Sequence, residues 1–184
     1  MIHYKRISLR ALVASDAATY EQWINDEETN FWRGLYHPTS SIDATKWVAQ
    51  QSEQQADRFT FAVDVKDKDG RVRPIGFVGM RGINGRSARA ELWIYIGDKS
   101  CWSEGFGGEV ITALCQYAFD EMSLFRIWLE TNPEHEGAMR CYEKVGFVRE
   151  GTLRQAYYRR GKYRDTCIMG LLRPDFEQKR ATQG

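Results

Sequence analysis

The segment with the clearest chemical potential is a glycine-rich turn at residues 102–109 (WSEGFGGE). Glycine lets the backbone approach a ligand closely and adopt a positive φ, so several N–H groups of such a turn can converge on one point. A helix is predicted to follow, and its N-terminus adds unpaired N–H groups and roughly half a positive charge. No Gly-Lys-Ser/Thr follows, so the turn is not a P-loop. It is predicted to bind an anion such as a pyrophosphate, although the same pattern is typical of a plain strand-to-helix connection.

A second block with its own spacing lies downstream, at residues 132–138 (NPEHEGA) and 142–147 (YEKVGF). Together with residues 94–99 (IYIGDK) and the glycine turn, it resembles the GNAT superfamily of N-acetyltransferases, in the branch with ribosomal-protein and spermidine N-acetyltransferases. The resemblance extends over nearly the whole chain. The family pattern in the turn is Arg or Gln, two variable residues, Gly, one variable residue, then Gly or Ala. Trp102 takes the place of the Arg or Gln, so phosphate binding is expected to depend on backbone amides.

The resemblance implies acetyl-CoA as the cosubstrate, with no metal ion. The pantetheine arm would lie where two strands, residues 89–96 and 126–131, part from each other, and would pair with the free backbone of the first. A backbone N–H of that strand would also stabilise the oxyanion that develops on the thioester. The residues expected to contact acetyl-CoA are Ile94, Tyr95, Ile96, Trp102, Ser103, Glu104, Gly105, Phe106, Gly107, Gly108, Asn132, His135, Ala138 and Tyr142.

His135 departs from the family pattern, which usually has an asparagine three residues before the alanine that is Ala138 here. In the family that asparagine hydrogen-bonds the pantetheine arm. An imidazole donates and accepts hydrogen bonds, so His135 can take over the contact with a different reach. The alternative is an exposed histidine at the start of a helix.

Glu91 is the first of two residues expected to carry catalysis. Alternation along residues 89–96 places it on the same face of the strand as Trp93 and Tyr95. A carboxylate in a central strand beside Trp93 is expected to be partly desolvated. Desolvation would raise its pKa and suit it to deprotonate the incoming amine directly or through water. The alternative is that Glu91 pairs with Arg89 or another cation at the sheet edge.

Tyr142 is the second residue expected to carry catalysis. It lies one helical turn after Ala138 and matches the family tyrosine that protonates the leaving thiolate or hydrogen-bonds its sulfur. Alternatively, it only packs under Phe147. Cys101 and Cys141 suggest a covalent acetyl-enzyme, but neither has a recognisable base partner. Direct attack by the amine through a tetrahedral intermediate is therefore expected.

The acceptor is predicted to be a small-molecule amine or a protein N-terminus, bound among the first two helices, an aromatic loop at residues 30–40 and the last hairpin. The side chains expected to contact it are Trp32, Tyr36, Trp93 and Tyr157. Cations on that hairpin favour an acceptor with a phosphate or carboxylate, unless they are simply solvated or form a dimer contact. Spermidine or another polyamine would need clustered carboxylates, and only residues 26–28 (DEE) offer them near the first loop. This scarcity weakens the polyamine alternative. A further alternative is a GNAT-like module that binds acyl-CoA as a sensor or scaffold.

The elements that must position these residues are predicted from periodicity and turn residues. Strands are expected at residues 3–12, 59–65, 74–80, 89–96 and 126–131, and in a hairpin that turns near residues 160–161. Helices are expected after residue 15, at residues 42–54, after the glycine turn and at residues 134–144. The predicted fold class is α/β (α+β), a GNAT-like mixed, mostly antiparallel sheet of about seven strands flanked by about four helices. One domain is expected over residues 1–184, with a core at about 5–174 and a C-terminal tail at 175–184.

Composition argues against several other classes. The 26 basic and 25 acidic side chains nearly cancel, so a nucleic-acid partner has no electrostatic support. No apolar stretch approaches the roughly 20 residues of a membrane span, and no signal-peptide pattern is present. The four cysteines lack zinc-site spacing, which favours reduced thiols in a cytoplasmic protein. The expected partners are acetyl-CoA and an amine acceptor, with a homodimer as the one protein assembly considered.

Overall fold

The computed structural model describes residues 1–33, 37–53, 55–67 and 69–183, without the side chains of Trp32, Arg33 and Gln183. The strands of these residues are β1 (Ile2–Tyr4), β2 (Ile7–Arg10), β3 (Arg58–Lys66), β4 (Val72–Asn84), β5 (Arg89–Ile96), β6 (Arg126–Thr131), β7 (Val148–Arg159) and β8 (Lys162–Leu172). They form one sheet in the order β1-β2-β3-β4-β5-β6-β8-β7. The predicted class, a mixed and mostly antiparallel sheet with helices, is confirmed, since β5 and β6 pair in parallel and the other neighbours antiparallel.

Six α-helices flank the sheet in the described part of the chain, two more than expected. They are α1 (Asp16–Asn25), α2 (Glu27–Arg33), α3 (Ser41–Ser52), α4 (Phe106–Asp120), α5 (Glu136–Val145) and α6 (Arg173–Gln183). A 3₁₀ turn at Lys99–Cys101 precedes α4. No helix among the described residues is long and apolar enough to cross a membrane.

Side chains of β5 divide between two hydrophobic clusters, one on each face of the sheet. Leu92 belongs to the cluster that contains α4 and α5, whereas Tyr95 belongs to the cluster that contains α1 and α3. Ile94 and Ile96 pack against the first cluster and Trp93 against the second. The alternation predicted for this strand is therefore confirmed, and the two layers of helices enclose it from both sides.

The N-terminal segment and the aromatic loop differ from their predictions. Residues 3–12 form a hairpin rather than one strand, because Lys5 has a positive φ of 47° and turns the chain between β1 and β2. The segment expected as a loop at residues 30–40 begins inside α2. This helix starts with Glu27 and Glu28 in its first turn, where acidic side chains stabilise the helix by interacting with its dipole.

The segment predicted as a C-terminal tail also differs, because α6 occupies residues up to Gln183. Phe176 of this helix is only 3% exposed. Its ring lies 5.3 Å from that of Phe119 in α4. Burial of this aromatic side chain fixes the last helix onto the core.

Candidate active site

A cleft opens where β5 and β6 separate. The two strands pair only at Arg89–Arg126, Ala90–Ile127 and Glu91–Trp128. Beyond Glu91, β5 continues to Ile96 while it pairs with β4 on its other edge. Among the described residues, the remaining edge of β5 therefore has no strand partner from Leu92 onward, and we call this opening the β5–β6 cleft.

The backbone of β5 presents alternate residues to this cleft. The N–H of Gly97 donates to the carbonyl of Ile75 in β4 at 2.9 Å. Successive residues of a strand direct their N–H and C=O groups to opposite edges. Ile94 and Ile96 therefore present their backbone groups to the cleft, whereas Tyr95 presents its backbone groups to β4.

Trp102 connects the glycine turn to the end of β5. Its indole Nε1–H donates to the carbonyl of Ile96 at 2.9 Å, so one lone pair of that carbonyl is already used. An indole carries no positive charge. Attraction for a phosphate at this position must therefore come from groups other than the Trp102 side chain. That side chain instead links the turn to the strand through its hydrogen bond.

The glycine turn takes two left-handed backbone conformations immediately before α4. Ser103 has a φ of 62° and Gly105 a φ of 85°, and the 15-residue helix α4 starts at Phe106 without a side-chain cap. The first N–H groups of a helix have no partner inside it. They point out of the N-terminus, where the dipole favours negative charge, so this end of α4 can bind an anion such as a pyrophosphate.

Gly107 and Gly108 face α5 across the same opening. A Cβ atom on Gly107 would lie 3.6 Å from Sγ of Cys141, and one on Gly108 would lie 3.8 Å from it. Both are ordinary contacts, so the fold itself does not require glycine at either place. What the two glycines do is leave space between the N-terminus of α4 and α5.

Two side chains hold the backbone at the N-cap of α5 and in the turn just before it. Oδ1 of Asn132 accepts from the N–H of Glu134 at 2.8 Å, and Nδ1 of His135 accepts from the N–H of Ala138 at 3.3 Å. His135 is half-buried, so it is not the exposed histidine considered above. Burial lowers its pKa below 6.5. The imidazole is therefore neutral near pH 7, and its role as an acceptor at Nδ1 places the proton on Nε2.

Replacing His135 with alanine is expected to destabilise the protein by about 1 kcal/mol, the usual loss for a helix N-cap. His135→Asn keeps a capping acceptor. Because burial lowers the folded pKa, the unfolded state binds a proton more readily, and wild type is expected to lose stability relative to His135→Asn as the pH falls below 6.5. Above that value the difference is expected to stay constant. Thermal melts of the three proteins from about pH 5 to about pH 8 test this. A difference in stability between wild type and His135→Asn that does not change with pH would contradict this expectation.

Tyr142 lies inside the protein beside the end of β6. The residue is 9% exposed, and its ring packs against Phe147 with centroids 6.0 Å apart. Burial raises its pKa well above the usual value of 10.0, although a hydrogen bond with the Thr131 side chain acts in the opposite direction. Tyr142 is therefore a neutral phenol with a proton to donate at neutral pH. Packing under Phe147 and a chemical role are both compatible with this position.

Glu91 lies at the point where the two strands part and is held by a cation. Arg81, opposite it on β4, donates from Nη2 to Oε1 of Glu91. The Glu91 side chain is 12% exposed and that of Arg81 is 59% exposed. The hydrogen bond with Glu91 raises the pKa of Arg81. This is the pairing with another cation that the sequence left open as the alternative to a base.

The thiols near the cleft are poorly suited to nucleophilic attack. Burial raises the pKa of the Cys141 thiol, which lowers its thiolate fraction. Sγ of Cys101 lies 3.5 Å from Nη2 of Arg73, and a guanidinium is not a base. All four cysteines are free, and no three His, Cys, Asp or Glu side chains of the described ranges are grouped as a metal site requires.

Only some of the residues predicted to contact the acceptor are among the described residues. Tyr36 and the side chain of Trp32 lie outside them. Trp93 is half-buried and its ring lies 6.5 Å from that of Trp47 in α3. Tyr157 is half-buried near the end of β7.

The charges expected to select an acceptor are paired with each other. Nζ of Lys99 lies 2.8 Å from Asp26 and 3.4 Å from Glu28. Arg160, at the tip of the last hairpin, pairs with Glu27. Lys99 begins the 3₁₀ turn that leads into Trp102. These pairs therefore connect the start of α2 to the segment just before the glycine turn on one side and to the hairpin tip on the other.

Sequence reasoning missed three residues that the fold brings to the site. Thr131 ends β6 beside Tyr142, Arg81 pairs with Glu91, and Arg6 contacts the glycine turn. The last of these contacts spans 98 positions, and no local pattern in the sequence indicates it. The one local signal near Arg81 is the Asn84-Gly85 turn, and it predicts a different register for the β4–β5 hairpin.

Comparison with known proteins places these features in a family. Residues 6–148 match the family model described as an acetyltransferase (GNAT) domain. The chain is 30% identical over 189 aligned residues to the probable N-acetyltransferase YjcK of Bacillus subtilis, covering 97% of this chain and 100% of the relative. It is 26% identical over 179 residues to the uncharacterized N-acetyltransferase p20 of Bacillus licheniformis, covering 95% and 97%.

A solved structure is similar over nearly its whole length. It is the crystal structure of spermidine N-acetyltransferase from Vibrio cholerae in complex with CoA and spermine. The TM-score is 0.81 at 25% sequence identity, and the match covers 94% of this chain and 99% of that one. The predicted resemblance to the branch with spermidine N-acetyltransferases is confirmed.

Proposed function

Because the chain belongs to the GNAT acetyltransferase family and is an acetyl-CoA-dependent N-acetyltransferase, we propose that the β5–β6 cleft binds acetyl-CoA for direct attack by a primary amine. The observation that carries this proposal is the separation of the strands after Glu91 and Trp128, next to the glycine turn. Backbone groups of Ile94 and Ile96 would pair with the pantetheine amides. The N-terminus of α4 would hold the pyrophosphate.

Tyr142 is proposed to stabilise the leaving thiolate. A thiol ordinarily has a pKa near 8.5, below the raised pKa of the buried Tyr142 phenol. Complete proton transfer from Tyr142 to the thiolate is therefore uphill, whereas hydrogen-bond donation is favourable. Donation by a positioned group to the charge that develops in the transition state lowers the barrier without net proton transfer.

Glu91 is proposed to receive the proton of the incoming amine through water. The ion pair with Arg81 holds the Glu91 carboxylate at the edge of the strand. Because Arg81 is largely exposed, solvent screens the pair and reduces its effect. Glu91 also lies at the mouth of the cleft, since its pairing with Trp128 is the last between the two strands.

Glu91→Gln is expected to lower kcat by about tenfold, less than a directly acting base would give. Arg81→Gln is the matched control, since it removes the same ion pair and leaves the carboxylate in place. A kcat for Glu91→Gln equal to that of Arg81→Gln would assign the effect to the ion pair alone and remove Glu91 from the mechanism.

The acceptor is proposed to be a small-molecule amine or a protein N-terminus that approaches between α2, Trp93 and the tip of the last hairpin. Internal pairing of Asp26 and Glu28 with Lys99, and of Glu27 with Arg160, leaves little net charge to select a polyanion or a polycation. Aromatic surface, which Trp93 contributes, then becomes the main contact for the acceptor.

A polyamine is the second candidate, and one observation favours it. A depression in the surface is lined by Glu27, Glu28, Phe31 and Arg160. Exposed ion pairs contribute little free energy, so a multivalent cation can displace Lys99 and Arg160 from these carboxylates. The protein from Vibrio cholerae was solved with spermine, which suggests the same class of acceptor for a related fold.

An acceptor panel tests the proposal against a sensing or scaffold role. Thiol release from acetyl-CoA is measured with polyamines, peptides, amino sugars and aminoglycosides, and each acceptor is checked by mass for a gained acetyl group. Release with a peptide, an amino sugar or an aminoglycoside supports the first candidate, and release confined to polyamines supports the second. Tight CoA binding without release for the whole panel would contradict a catalytic role and favour a binding module.

A homodimer is proposed to form through β7, which is an edge strand of the sheet. Nearly all of its residues are exposed, among them Val148, Leu153 and Tyr158. A long exposed edge with apolar side chains is a template for pairing with another chain. Sedimentation of the intact protein over a range of concentrations tests this, and a monomer at every concentration would contradict it.

A further inference from the structure

Arg6, in the turn between β1 and β2, reaches across to the glycine turn and the first turn of α4. Its Nε donates to Oε1 of Glu109 at 2.8 Å, and its Nη2 donates to the carbonyl of Glu104 at 2.9 Å. The backbone N–H of Arg6 adds a bond to Oε2 of Glu109 at 3.2 Å. The guanidinium also lies 4.2 Å from the ring centroid of Phe106. One side chain therefore contacts three residues at the entrance of α4.

The contact with Glu104 bears on the shape of the turn. Glu104 lies between Ser103 and Gly105, which both have a positive φ. A non-glycine residue in that conformation, such as Ser103, is held there only when its surroundings favour it. A charge-assisted hydrogen bond to the intervening carbonyl fixes the peptide plane between the two, and with it the direction of the N–H groups that follow.

The contact with Glu109 bears on the charge of the turn. Glu109 is in the first turn of α4 and only 14% exposed. An unpaired carboxylate there would repel a pyrophosphate at the same helix end and offset the dipole that attracts it. Arg6 neutralises this carboxylate. The sequence has Trp102 where the family has Arg or Gln, so Arg6 is the cation that the fold brings to the turn from elsewhere in the chain.

We propose that Arg6 is a positioning residue of the acetyl-CoA site: it holds the glycine turn in its binding conformation and cancels the charge of Glu109. This inference rests on the proposed function, because it assumes that the pyrophosphate of CoA lies at the N-terminus of α4. A residue that only attaches the β1–β2 hairpin to α4 would affect stability and would not distinguish ligands with phosphates from ligands without them.

The test compares Kd values for CoA, by calorimetry, with those for pantetheine, by NMR titration, which detects weak binding. Pantetheine has the same arm and no phosphate. Arg6→Gln is expected to raise the Kd of CoA by about tenfold and to leave that of pantetheine within about twofold. Arg6→Gln/Glu109→Gln should lie closer to wild type than Arg6→Gln, because the repelling carboxylate is gone. Arg6→Lys, which keeps the charge, should bind CoA more tightly than Arg6→Gln.

Arg173→Gln is the matched control, because Arg173 also pairs with a glutamate, Glu177, at 2.7 Å but on α6. It should leave both Kd values unchanged. Equal changes for CoA and pantetheine in Arg6→Gln, or no change in either, would overturn the inference and leave the proposed function standing. Absence of CoA binding by the wild-type protein would overturn both.

Discussion

Tyr142→Phe is expected to lower kcat by about 10- to 100-fold, with the KM for acetyl-CoA within about twofold of wild type. The phenol is buried, neutral and next to the end of β6, where the two strands have already separated. Its hydroxyl can donate to a thiolate that exists only late in the reaction. An interaction made only in the transition state lowers kcat when it is removed and leaves ground-state binding in place.

Thr131→Val is the matched control for this change. Tyr142→Phe removes two things, the donor to the thiolate and the hydrogen bond with Thr131, whereas Thr131→Val removes only the second. A kcat close to wild type for Thr131→Val, beside the loss for Tyr142→Phe, would assign the effect to the donor. If the two variants lose the same amount of kcat, or if Tyr142→Phe loses none, Tyr142 has only a packing role under Phe147.

Gly107→Val is expected to raise the Kd of acetyl-CoA by about 10- to 100-fold, the loss that follows when charge-assisted hydrogen bonds to a ligand are broken. The new side chain would project toward Cys141 of α5, into the space between the two helices. A pyrophosphate that must approach the N–H groups of α4 closely would be displaced by it. Gly107 lies inside α4 and its Cβ would make only an ordinary contact, so the melting temperature should change little.

Trp102→Ala is the comparison for Gly107→Val. It removes the neutral hydrogen bond from Nε1 to the carbonyl of Ile96 and should raise the Kd by about fivefold. The order of the two effects separates binding by backbone amides from binding by the side chain at the position where the family has Arg or Gln. A larger effect for Trp102→Ala would show that the account of the turn is wrong.

Much of the fold could be predicted because its central elements have strong local patterns. The limits of β5 and β6 agree with the predicted residues 89–96 and 126–131, since both are short apolar runs between turn residues. The N-terminal hairpin was missed because its turn depends on a non-glycine residue with positive φ, Lys5. α6 was missed because its polar sequence gives little sign that Phe176 is buried.

The candidate site was harder to predict from the sequence, because its residues come together only through tertiary contacts. Asn84-Gly85 predicts a two-residue hairpin turn, which would place Arg81 opposite Ala88. The structure instead pairs Asn84 with Arg89, and an irregularity between Arg81 and Asn84 then places Arg81 opposite Glu91. The ion pair with Glu91 therefore follows from the longer loop and this irregularity together. Arg6 and Glu109 are separated by 103 positions, and only the packing of the first hairpin on α4 brings them together.

Backbone hydrogen exchange with and without CoA tests the acetyl-CoA site most directly, since the proposed contacts are made by particular backbone amides. CoA is expected to slow exchange at Ile94 and Ile96, at the first residues of α4 and at the start of α5. Little change is expected in the two edge strands of the sheet, β1 and β7. Slowed exchange elsewhere, with none at β5 or at the N-terminus of α4, would contradict the placement of acetyl-CoA in the β5–β6 cleft.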